Sequence, residues 1–184
     1  MAKLLISWLL AASLFTSAGH RALPLDFRTE LANQIDAQPL FTGADGALKD
    51  AALMSSLAWI EGGNVPGAVG DCSGMGPGDP KCTAKDARSW CVFQIHLLPG
   101  NRTIEGWTGP ELAASAQKCI AVARRLVKAS ITSAENKDGK CPLCVYARGH
   151  WTPEGQRLSD FRMGLAKKLL KEIHIDDEDE DNPY

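Results

Sequence analysis

The chain has 184 residues, 45% of them hydrophobic and 23% charged, which suits one domain with a real core and flexible ends. The formal net charge of −2 conceals six acidic residues at 176–181, which read as a solvated, disordered tail. Without that run the chain carries +4, a mildly basic body that suits an anionic polymer and lacks the patterning of a nucleic-acid binder.

Residues 1–18 read as an export signal. Lys3 supplies a short positive region, Leu4 to Ala12 is apolar apart from Ser7, and Thr16-Ser17-Ala18 offers small residues for cleavage. The apolar stretch falls short of the ~20 residues a spanning helix needs. The expected destination is a periplasm or the extracellular medium, with a membrane anchor if the leader is retained.

Residues 19–44 form a lead-in segment, with a helix over Phe27 to Ile35. A second helix runs from Gly46 to Glu61, after a start signal at Thr42-Gly-Ala-Asp45. At ~100° per residue, Leu53, Leu57 and Ile60 share a face, and Glu61 falls on its edge. Gly62-Gly63-Asn64 follows at once. A carboxylate delivered by a buried helix onto a glycine-rich loop is suited to general acid work, because desolvation favours its protonated form. The alternative is a helix-end Glu pointing into water.

Residues 62–88 hold seven glycines and three prolines, a density that argues for a long irregular loop. Six cysteines behind a leader, Cys72, Cys82, Cys91, Cys119, Cys141 and Cys144, read as a disulfide set. Cys72 and Cys82 bracket the loop and would close it. Cys141-Pro-Leu-Cys144 pairs internally or with Cys91 and Cys119. Zinc is the competing use of a CxxC spacing, but no second CxxC is present, so no metal is expected.

Trp90 to Leu98 is a short apolar segment, a strand or one helical turn, ending at Pro99-Gly100. A helix opens at Thr108-Gly-Pro-Glu111 with a capping box and presents Leu112, Ala116, Cys119, Ile120, Ala123 and Val127 on one face to about Ala129. Residues 130–140 are polar linker, and 141–151 form a second site-like segment. The last helix, Leu158 to Ile173, carries Phe161, Leu165 and Leu169 at helical spacing. No convincing run of strands is visible, so the fold class is mostly α, with the domain over residues 45–175.

Three segments carry a resemblance. Glu61 ends an apolar helix. Ser89-Trp90-Cys91-Val92-Phe93-Gln94-Ile95 resembles the S-x-G-L-M-Q-I segment of lytic transglycosylases and goose-type lysozymes, and Tyr146-Ala147-Arg148-Gly149 is similar to their Y-N-x-G segment. The resemblance spans about residues 45–172. Cys91 stands where that pattern has Gly, Ala147 where it has Asn, and Gly62 where Ser usually follows the Glu.

The resemblance implies a lysozyme-like fold acting on the β-1,4-linked glycan of peptidoglycan, as a monomer without a cofactor. Glu61 would protonate the glycosidic oxygen, then deprotonate the muramic acid 6-hydroxyl to close a 1,6-anhydro ring. Gln94 would sit beside it and bond the sugar, and Tyr146 would bond the carboxyl group or a substrate N-acetyl. His96, Trp90 and Trp151 adjoin these motifs and are candidates to line the cleft, the two indoles as sugar-stacking faces. A hydrolase would instead need a second carboxylate roughly 5–9.5 Å across the bond, for which Asp71, Asp79 and Asp86 are candidates. A lysozyme-fold glycan-binding or assembly protein without activity is the non-enzymatic alternative.

Overall fold

The computed structural model describes residues 7–12, 22–72, 81–97, 100–133 and 139–172. The expected cleavage region, the middle of the Cys72–Cys82 loop with Asp79, and the acidic tail lie outside these residues. Among the described residues, six helices follow a short helical segment at 7–12: α1 (Leu25–Ala37), α2 (Gly46–Gly62), α3 (Gly109–Ala114), α4 (Ala116–Thr132), α5 (Cys144–Arg148) and α6 (Pro153–Glu172). Three two-residue strands, β1 (Val69–Gly70), β2 (Ser89–Trp90) and β3 (Ile95–His96), form an antiparallel sheet in the order β1-β2-β3. Strands this short show no alternation, which is why the sequence pattern does not reveal them.

Helix α2 is the centre of the core. Every residue from Asp50 to Ala58 is buried, so the helix is enclosed on all sides rather than amphipathic. α6 packs along it, and α1 packs on α4. The lead-in segment thus joins the same core: Phe27, Leu31, Ala32 and Ile35 are buried on α1. Each large side chain so buried contributes about 1.5–3 kcal/mol. Trp8, Leu9 and Ala12 of the first helical segment also belong to the buried cluster.

One charged group is buried in the middle of α2. Asp50 Oδ2 lies 2.6 Å from Arg124 Nη2 of α4 and accepts the Leu40 N–H at 3.0 Å. Arg124 also donates to the carbonyls of Gln34 and Gln38, satisfying the C-terminal end of α1. Burial pushes the Asp50 carboxyl up to about 6, against the opposing pull of Arg124.

Two helices differ from expectation. The helix expected from Thr108 to Ala129 is broken at Ser115, whose extended backbone ends α3 and whose hydroxyl accepts the Lys118 N–H to cap α4. The apolar face is continuous across the break, so periodicity alone reads it as one helix. α6 starts earlier, at Pro153, with Thr152 Oγ1 accepting the Gly155 N–H. Its buried stripe is Ser159, Arg162, Met163, Ala166, Leu169 and Leu170. Phe161 is 58% exposed, so the expected Phe161-Leu165-Leu169 stripe is rotated, and a cation takes a core position.

The six cysteines form three disulfides, Cys72–Cys82, Cys91–Cys119 and Cys141–Cys144. The first closes the long loop as expected. The second ties the β2–β3 turn to α4, and the third resolves the open CxxC pairing as internal. No described helix is long and apolar enough to cross a membrane.

Candidate functional site

The three motif segments meet at the C-terminal end of α2. The helix stops there because Gly63 adopts a left-handed φ of 57°, with its N–H on Trp59 O and the Asn64 N–H on Ala58 O. This double capping turn leaves Glu61 in the final turn, half-buried, and swings the chain toward the sheet. Asn64 is itself left-handed, with φ 63°.

The tight turn between β2 and β3 lies directly against this helix end. A Cβ added at Gly62 would fall 2.7 Å from Val92 Cα and 2.9 Å from its carbonyl carbon. Only glycine permits this approach, which accounts for the absence of Ser after Glu61. The turn needs two non-glycine residues in the left-handed region, Cys91 at φ 58° and Gln94 at φ 47°. Cys91 therefore holds a backbone conformation that favours glycine, and its disulfide to Cys119 anchors it there.

Glu61 has a partner that no sequence motif marks. Arg162 of α6 donates to Glu61 Oε1 through Nε at 2.7 Å and through Nη2. The Arg162 side chain is 8% exposed and that of Glu61 18%. This is a charge-assisted, two-donor contact. The expected setting, a carboxyl desolvated by apolar neighbours, is thus replaced by an ion pair in which Glu61 is the acceptor. Apolar spacing does not mark this cation, because the buried stripe of α6 that holds it, from Ser159 through Arg162 to Ala166, is set by packing and is not the Phe161-Leu165-Leu169 stripe.

Tyr146, on α5, donates its hydroxyl to Phe93 O at 2.9 Å. It therefore clamps the β2–β3 turn, and its expected bond to the carboxyl group is not what is seen. Burial, and then the charge of Glu61, push its hydroxyl above the ordinary tyrosine range, so the phenol stays a donor. Gln94 likewise secures the turn, with Nε2 donating to Cys91 O at 3.1 Å. Its amide also covers Gly70, where a Cβ would lie 3.2 Å from Gln94 Cδ.

The remaining candidates divide. Trp90 is 5% exposed, with its indole against Gly109 where any Cβ would intrude. Its ring offers no free face to a sugar, which corrects the stacking expectation. Trp151 is 41% exposed, just ahead of α6. His96 is exposed on β3, with Nδ1 3.4 Å from Ser89 Oγ and 3.8 Å from Asp71 Oδ2. The buried Ser89 hydroxyl donates to Asp71 Oδ2. Of the three loop carboxylates, Asp71 is thus built into the sheet edge beside Gly70, while Asp86 accepts a bond from Thr83 within its own turn. Among the described residues no three His, Cys, Asp or Glu side chains are grouped as for a metal ion. No protein-family model, curated protein or solved structure matches the chain.

Proposed function

We propose that this chain is an exported enzyme of lysozyme-like fold that cleaves the β-1,4 bond between N-acetylmuramic acid and N-acetylglucosamine in peptidoglycan. Glu61 acts as general acid and then as base, leaving 1,6-anhydromuramic ends. The observation that carries this reading is the convergence of the three resembling segments on one point. Gly62 is packed under the Val92 backbone, Tyr146 is bonded to Phe93 in the same turn, and Cys91 holds the left-handed conformation suited to glycine. A single acid and base needs no second carboxylate. Three disulfides and the leader-like start support export.

One observation favours a second reading, hydrolysis. Asp71 is oriented by Ser89 and His96 on the sheet that adjoins the Glu61 turn, as a carboxylate that activates water would be. Digestion of purified peptidoglycan, followed by mass analysis of the products, separates the two. Anhydro products that vanish with Glu61→Gln support the first. Reducing-end products that vanish with Asp71→Asn support the second. No release by the wild-type protein, under conditions where it binds glycan, would leave only a binding role.

A further inference from the structure

We propose that Arg162 is the positioning residue of this site: it fixes Glu61 Oε1 and reserves Oε2 as the oxygen that exchanges the proton. The inference rests on the glycan-cleaving reading above. Both Arg162 donors converge on Oε1, and among the described residues Oε2 receives no protein donor. The two oxygens of one carboxyl group are therefore unequal, one held and one open.

Packing sets the position of the guanidinium. Ser56, about a turn and a half before Glu61 on α2, bonds Leu53 O at 2.8 Å and lies 3.3 Å from the Arg162 carbonyl, so the α6 backbone at Arg162 rests against α2 just before the helix end. The third guanidinium nitrogen, Nη1, is buried with no partner, so among the described residues no other acceptor draws the group away from Glu61. The side chain is only 8% exposed, so it is held largely within the α2–α6 contact.

The chemistry follows from this asymmetry. In the acid step the Oε2–H bond breaks and the glycosidic oxygen takes the proton. The electron pair of the broken C1–O bond stays with that oxygen, and the negative charge appears on Glu61. Arg162 is already in place to stabilise it, a preorganised cation where charge develops. In the base step Oε2 takes the proton of the 6-hydroxyl as that oxygen bonds C1, and Arg162 keeps the carboxyl plane from turning.

Arg162→Gln and Arg162→Lys separate charge from geometry. Rates on purified peptidoglycan give kcat and KM separately, with urea melts to verify folding. Arg162→Gln removes both the fork and the cation that faces the developing charge, so kcat falls by roughly a hundredfold with KM unchanged. Arg162→Lys keeps the charge but loses the two-donor fork, so kcat falls by only roughly tenfold, as expected for ~1.4 kcal/mol of positioning. A folded Arg162→Gln with the parent's kcat, or with its loss confined to KM, overturns the inference while leaving glycan cleavage intact. If Arg162→Gln fails to fold, Arg162→Lys decides instead: a folded lysine variant with the parent's kcat also overturns it. Absence of wild-type cleavage, by contrast, strikes the catalytic reading itself.

Discussion

Gly62→Ala tests the contact on which the site is assembled. The added Cβ would meet Val92 Cα at 2.7 Å and its carbonyl carbon at 2.9 Å. Both atoms are backbone, in a turn held by the Cys91–Cys119 bridge and by Tyr146, so no side-chain rotation relieves the clash. Two terms oppose each other. Alanine for glycine in a helix gains at most about 1 kcal/mol, and less at the last helical residue. Overpacking against fixed atoms costs about 1–3 kcal/mol. The net expectation is a loss of about 1–2 kcal/mol, or roughly 2–8 °C in Tm for a chain of this size. Urea denaturation of the oxidised protein measures it. Gly62→Ser adds a hydroxyl to the same crowded position and loses at least as much. An alanine variant as stable as the parent, with an unchanged m value, would refute the close approach. It would also remove the explanation for glycine at this position.

Three further outcomes are expected. Removing the Cys91–Cys119 bridge costs about 3–4 kcal/mol from loop entropy. With Cys119→Ala in both proteins, Cys91→Gly is more stable than Cys91→Ala by about 1 kcal/mol, because φ is 58° there; equal urea midpoints would contradict the left-handed turn. Tyr146→Phe leaves the Phe93 carbonyl without its donor and lowers stability by about 1–2 kcal/mol in urea denaturation; an unchanged melt would remove the clamp. Asp50 has its folded pKa raised from 3.8 to about 6, so the folded chain holds that proton better than the unfolded chain. Its contribution is complete below about pH 3.8 and is lost as pH rises through about 6. The parent should therefore lose stability relative to Asp50→Asn over that interval, and parallel urea midpoints across it would refute the assignment.

How much of the fold is legible in the sequence depends on how local its cause is. The α2 helix, its stop after Glu61 and the Cys72–Cys82 closure follow from an apolar run, paired glycines and two cysteines ten residues apart. The break at Ser115 was hidden because the apolar face passes through it unchanged. The β2–β3 turn stayed ambiguous because two-residue strands carry no period. Phe161 misled because a large apolar residue at helical spacing need not face inward, and here it lies on the outer side of α6.

By itself the sequence determined the central helix, the carboxylate at its end and the order of the three segments that resemble one family. Those depend on neighbours along the chain, through periodicity, capping and glycine. The tertiary structure alone decided what surrounds the carboxylate. Arg162 lies 101 residues from Glu61, and Tyr146 lies 53 from Phe93. Contacts that distant arise from the packing of α6 and α5 against α2 and the turn, which no local pattern encodes. The pairing of Cys91 with Cys119 has the same origin, since six cysteines can pair in many ways and the fold admits only those whose backbones already lie close.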